Sequence, residues 1–207
     1  TTAVRIMKYI YGYDISGFRK RTVSGYAGVT TADSDTGVGV WKLGDIITST
    51  PKVQSDRQLS GYNLDYGDST YEEFINSNGY KNRGMVYVGA NDGALHAISL
   101  GKVVKRADGY AKAQLTGTGV GTEEWAFVPK NALPYLKYFP DPDYTHLYYV
   151  DNTTLLFDAS LSKPTGCSAS NYWDCKKIDE TNWKTLLIGG MGLGGASRGA
   201  GDSCSNC

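Results

Sequence analysis

The sequence predicts an all-β fold with a minor helix, on three observations. The first is the stretch Arg83-Gly-Met-Val-Tyr-Val-Gly-Ala-Asn-Asp-Gly-Ala-Leu-His-Ala-Ile-Ser-Leu100, two short apolar segments joined through Asn91-Asp92-Gly93. Gly has no Cβ, and Asn and Asp tolerate left-handed backbone, so this tripeptide supplies the positive-φ positions a tight hairpin needs. Its flanks, Met85–Val88 and Ala94–Ile98, are apolar on both faces, as required of strands covered on both sides in the stacked blades of a β-propeller. The second observation is composition: 26 Gly and 16 Tyr among 207 residues, with charged residues at 20%, suit short strands and tight turns. The third is a weak repeat. Met85-Val-Tyr-Val-Gly89, Leu147-Tyr-Tyr-Val-Asp151 and Leu186-Leu-Ile-Gly-Gly190 each place an apolar segment just before a turn.

Taken in order, Ala3–Gly12 carries Val4, Met7, Ile10 and Tyr11 at helical spacing and ends at Gly, which predicts a short helix. Residues 15–39 are rich in Gly, Ser, Thr and Asp and read as a loop. A first strand is expected near residues 45–54, interrupted by Pro51 and therefore at a sheet edge or bulged. The polar, Tyr-rich insertion at 56–82 holds a candidate helical turn, Tyr71-Glu-Glu-Phe-Ile75. After the hairpin comes a Gly- and Lys-rich loop, then a short strand, Glu123-Glu-Trp-Ala-Phe-Val-Pro129, stopped by its proline. Further strands are expected at Leu147–Val150, Leu155–Ala159 and Trp183–Gly190. The expected organisation is a lead-in over 1–40 and the N-terminal blades of a propeller over 41–207. With no strand in the last twenty residues to seal the sheet, that propeller reads as cut short at its C-terminal side. Starting at Thr1, without Met or a leader, the chain reads as a mature or internal segment.

Charge and cysteine usage narrow the class. Lys plus Arg equals Asp plus Glu at 21 each, so no basic excess argues for nucleic acid or an anionic membrane. The longest apolar runs fall far short of the roughly 20 residues that cross a bilayer. Cys167, Cys175, Cys204 and Cys207 can pair in three ways, and spacing does not choose among them. Disulfides in an exported protein are the leading reading, with zinc or redox chemistry as alternatives for the terminal Cys-x-x-Cys.

Catalytic chemistry finds little support. His96 sits in an apolar strand and reads as a satisfied core histidine; His146 follows a turn and reads as structural. Glu123 and Glu124 are adjacent, so an extended strand points them to opposite faces. The run Gly189-Gly-Met-Gly-Leu-Gly-Gly195 invites a nucleotide-loop reading, but no helix follows it, and a turn is the simpler account. Tyr62, Tyr66, Tyr71 and Tyr80, with Tyr110, Tyr135, Tyr138 and Tyr144, are the best binding-surface candidates, since Tyr offers large contact area at low entropy cost. The alternative is that they pack over blade edges.

Four segments occur in a telling order: Trp41-Lys-Leu-Gly-Asp-Ile-Ile-Thr-Ser-Thr-Pro51, Asn82–Ala97, Glu124-Trp-Ala-Phe-Val-Pro129 and Trp183–Gly195. As an ordered set they resemble the C-terminal β-propeller domain of the PilY family of type IV pilus assembly and tip-associated adhesins. The resemblance runs from about residue 3 to the end. It implies a bacterial protein exported through the periplasm to the cell surface or pilus tip, with minor and major pilins as partners and a host or abiotic surface as a further target. It also implies a calcium-binding, Asp-rich loop in a later blade. No cofactor is expected within this segment: Asp33-Ser-Asp35-Thr-Gly37 has Gly where a third ligand belongs, and Asn63-Leu-Asp65-Tyr-Gly67-Asp68 fails similarly. The hairpin also resembles those of quinoprotein dehydrogenase propellers. The vicinal disulfide, stacking tryptophan and calcium-binding acids of those enzymes are not identifiable here, so a quinone-cofactor dehydrogenase stands second and a generic secreted scaffold third.

Overall fold

A computed structural model describes residues 2–20, 43–106, 112–161, 166–168, 170, 175 and 182–195. Among these, strands predominate over a few short helices. Helix α1 (Thr2–Ile10) forms where helical spacing predicts it. Its inward face carries Tyr9, enclosed edge-on between Phe18 and Phe139 at 5.9 and 5.7 Å, while Val4, Met7 and Tyr11 face outward.

The central sheet is four antiparallel strands in the order β1 (Lys52–Gln54), β2 (Met85–Gly89), β3 (Leu95–Ser99) and, after an excursion, β6 (Glu123–Phe127). The β2–β3 hairpin pairs Met85 with Ser99 and Gly89 with Leu95, and Ala90 N–H to Ala94 C=O closes a three-residue turn in which Gly93 has φ 105°. That hairpin and the strand before Pro129 match expectation. The first strand is shorter than expected, and Pro51 precedes it rather than interrupting it. Residues 44–49 spend their hydrogen bonds on the hairpin turn instead: Gly44 N–H donates to the Asp92 carboxylate, Asp45 C=O accepts from Asn91 N–H, and Ser49 Oγ donates to Gly89 C=O. β1 does lie at a sheet edge, where a neighbouring proline costs no ladder bond.

The expectation of a strand at Leu147–Val150 is corrected, and with it the second member of the repeat. This segment runs over the hairpin turn, its N–H groups used by Asn91 Oδ1 (to Tyr149) and Ala90 C=O (to Val150), and both Tyr149 and Val150 are buried. The approach is close enough that a Cβ on Gly89 would sit 2.2 Å from Val150 C=O, which requires glycine there. A separate two-stranded sheet follows, β7 (Leu155–Ser160) against β8 (Trp183–Ile188).

One hairpin was hidden in what read as a loop. The Gly- and Lys-rich stretch forms a second hairpin, β4 (Lys102–Lys105) with β5 (Ala113–Thr116), as an excursion from the β3–β6 connection. In the Tyr-rich insertion the expected helical turn at Tyr71–Ile75 is part of α3 (Ser69–Asn76), with α2 (Tyr62–Asp65) before it and α4 (Asn78–Lys81) after it. Asp68, one of the acids weighed for calcium, is the N-cap of α3, accepting from Thr70 and Tyr71 N–H. Asp68→Ala is expected to cost about 1 kcal/mol in urea unfolding, the usual loss on removing such a cap. Asp33 and Asp35 lie outside the described residues.

Among the described residues two clusters make the core. One joins Tyr71, Ile75 and Tyr80 to Trp183, flanked by Tyr62 and Phe74. The other joins Ala132, Leu136 and Tyr149, flanked by Ile10, Val128, Leu147 and Met191. Cys167 and Cys175 form a disulfide with Cα atoms 5.6 Å apart; Cys204 and Cys207 lie outside the described residues.

Candidate functional site

The hairpin turn organises the polar chemistry. His96 Nε2 lies 3.0 Å from Asp92 Oδ2, and its Nδ1 lies against Glu123 Oε1. A carboxylate only accepts, so both ring nitrogens must donate, and the imidazole is held as its cation. Burial would pull its pKa down, but the hydrogen bonds and charges of Asp92 and Glu123 outweigh that and lift it to about 9. A bulge between Ala97 and Ile98 makes this possible. Ala97 pairs with Trp125 and Ile98 with Glu123, so Glu124 is the extra residue and Glu123 shares His96's face. Adjacent carboxylates on opposite faces were the expectation; the bulge recruits one of them to histidine.

On the outer side of the turn, Asn91 donates to Asp45 Oδ2 at 2.7 Å, and His146 lies 3.1 Å from both Asp45 oxygens. Burial pushes the Asp45 carboxyl up, yet the bonds from Asn91 and His146 leave it below the usual range. The partners found for both histidines tie loops to the hairpin. His96 is the satisfied core residue its apolar strand suggested; His146 is a partly exposed clasp.

The glycine-rich run is closed on itself. Asp151 accepts from the N–H groups of Gly192, Leu193 and Gly194 at 2.7, 2.8 and 3.1 Å. Consecutive N–H groups of this kind make an anion nest, and here the anion is the protein's own carboxylate. No phosphate is needed to satisfy it.

Of the tyrosines, Tyr71 and Tyr80 are withdrawn from the surface: both are buried, and each hydroxyl donates to Asp158 Oδ2 at 2.7 Å. Tyr62 is half-buried against Trp183 at 5.4 Å, and Tyr135, Tyr138 and Tyr144 are half-buried too. Tyr66 alone of the described candidates stays exposed, stacked on Tyr62 at 6.3 Å. Tyr110 lies outside the described residues. Packing wins for Tyr71 and Tyr80 because each phenol finds inside the partner that water would otherwise supply. Burial and the Asp158 carboxylate raise both buried phenols, Tyr80 to about 12.

What the structure offers as a surface is an apolar groove of about 680 Å³ between β6 and β8, lined by Leu95, Trp125, Phe127, Pro129, Leu187 and Met191. Every residue of β6 is exposed, with Trp125 at 42% and Phe127 at 58%, and Ile188 and Leu193 are exposed nearby. Exposed apolar side chains in such a cluster mark a surface meant to be covered. The sequence signalled these strands but not the groove, because an apolar strand reads identically whether its cover lies within the chain or beyond it.

No family model matches the chain, and no solved structure matches it. Relatives do. Two proteins of Xylella fastidiosa, each named a type IV pilus biogenesis factor PilY1 homolog, are 31% identical over 161 and 156 residues, covering 75% and 74% of this chain. The type IV pilus biogenesis factor PilY1 of Pseudomonas aeruginosa is 28% identical over 163 residues, 74% of this chain. The matched segment spans only 8–10% of the length of these relatives.

Proposed function

We propose, from the premise that this chain carries a PilY-family domain, that it serves type IV pilus biogenesis at the cell surface by binding other proteins rather than by catalysis. The observation that carries this reading is the similarity to three PilY1 proteins over about three quarters of the chain. The groove beside β6 supports a binding role, and the structural use of His96, His146 and the glycine-rich loop turns the chemistry-bearing residues toward holding the fold.

The architecture belongs to the same proposal. Four antiparallel strands in sequential order, β1-β2-β3-β6, have the form of one propeller blade, and β7–β8 begin a second beside it. On this reading residues 41–207 hold the first blades, residues 1–40 lead into them, and later blades lie in the longer protein, with a calcium loop among them. Minor and major pilins are the partners, the pilus tip the location, and attachment to a host or abiotic surface a further consequence. The Cys167–Cys175 disulfide suits an oxidising compartment.

Peptide mass spectrometry, without reduction, on pili sheared from the source cells tests this. Peptides of this chain recovered beside pilin, with Cys167 and Cys175 cross-linked, are the expected result. Their absence from well-recovered pili, with the chain found elsewhere in the envelope, overturns it.

A further inference from the structure

The β4–β5 hairpin leaves the central sheet and returns to the same point. Ser99 N–H donates to Thr122 C=O and Gly121 N–H to Ser99 C=O, so the excursion's two ends are bound together at its root. The root is held tightly: Leu100 N–H donates to Gly84 C=O, and a Cβ on Gly84 would fall 1.6 Å from Gly101 C=O. Beyond that root the described residues of the arm add no buried side chain to the core, although Lys102 Nζ donates to Asn82 Oδ1 at its base. No described residue from 100 to 127 is buried, and Val103 and Leu115, paired across the strands, are 65% and 47% exposed. A two-stranded ribbon is marginal by itself in water, and ordering it costs backbone entropy at every residue. An arm so firmly rooted, and so poorly repaid within the fold, fits a segment completed by something else.

Its charge says what. Residues 100–122 hold four cations, Lys102, Lys105, Arg106 and Lys112, against one acid, Asp108, in a chain whose net charge is zero. Lys105 sits on the face of Val103 and Leu115, Lys102 on the opposite face, and Arg106 and Lys112 extend the ladder toward the tip through the Arg106 N–H to Lys112 C=O bond. Among the described residues the sheet has two strands, so both outer edges present backbone donors and acceptors beside lysines. We infer that this arm is a docking strand for an extended acidic polypeptide segment, which adds to an open edge of the β4–β5 ribbon and places its carboxylates against Lys102, Arg106 and Lys112, which share one face. Main-chain hydrogen bonds would supply affinity, and the alternation of acids with small polar residues would supply selectivity. This inference is independent of the pilus reading and stands or falls separately from it.

The test uses the full-length protein with a synthetic peptide of alternating Glu and Thr. Hydrogen exchange and binding are followed as NaCl is raised. Slowed exchange in 102–105 and 113–116, with affinity falling at least tenfold both at high salt and in the Lys102→Glu/Lys112→Glu variant, is the expected result. A Lys20→Glu control, an exposed cation away from the arm, should bind unchanged. Absence of slowed exchange in the arm, or equal binding by the charge-reversed variant, overturns the inference. Phosphatidylserine vesicles are the third arm of the test: charge-dependent binding to them without binding of the peptide assigns the arm to a lipid surface and overturns it as well.

Discussion

Replacing Asp158 with alanine is expected to remove about 3–5 kcal/mol of stability, enough to leave a typical domain of 5–15 kcal/mol largely unfolded at moderate urea. The carboxylate is fully buried in β7 and accepts from three hydroxyls: Tyr71 and Tyr80 on one oxygen and Thr185, at 2.6 Å, on the other. Arg83 completes the group, 3.9 Å from Asp158 and bonded to Thr185 and to the carbonyls of Ser55 and Arg57. Alanine would strand the Tyr71 and Thr185 hydroxyls, leave Tyr80 only its long bond to Arg57 C=O, and leave the guanidinium without its anion, and each orphaned buried group carries its own desolvation cost. Tyr71→Phe, which removes one donor and leaves the carboxylate two others, should cost only about 1–2 kcal/mol. Urea unfolding of both variants and the double mutant gives the coupling directly. A loss below about 1 kcal/mol in Asp158→Ala would show that the cluster is not what joins the helical insertion to β7–β8.

The second large effect depends on pH. His96 has a folded pKa near 9 against an ordinary value of 6.5, so its ion pairs contribute fully below about pH 6.5 and are lost as pH rises through about 9. The shift corresponds to roughly 3 kcal/mol, reduced somewhat because Glu123 is half exposed. Wild-type stability is therefore expected to fall by about 2–3 kcal/mol between pH 7 and pH 10, whereas His96→Gln should start lower and show no such slope. Thermal melts across that range decide it. A flat wild-type profile would mean the imidazole is neutral when folded.

Both effects bear on what the sequence could say. The hairpin was legible because Asn91-Asp92-Gly93 is local: turn chemistry and flanking apolarity lie within fifteen residues of each other. Leu147–Val150 misled because its apolar residues are indeed buried, but against the turn rather than in a ladder, and period alone does not separate the two. Tyr71 and Tyr80 read as surface because their partner, Asp158, is 87 and 78 residues away. One clue was available: a lone acid within Leu155-Leu-Phe-Asp-Ala159 must find partners if that strand is buried. The bulge that sends Glu123 to His96 had no such clue, since it is set by the register of β3 against β6.

The reach of Asp158 across the chain also sets an order of events during synthesis. Residues 62–82 emerge first, with Tyr71, Phe74 and Tyr80 already in sequence, but the carboxylate and the indole of Trp183 that enclose them follow much later. Contacts this distant form slowly and leave aromatic surface open in the meantime. Until β7 and β8 arrive, the helical insertion is a sticky, half-built object, and a nascent chain stalled before residue 158 is the form of this protein most in need of a chaperone.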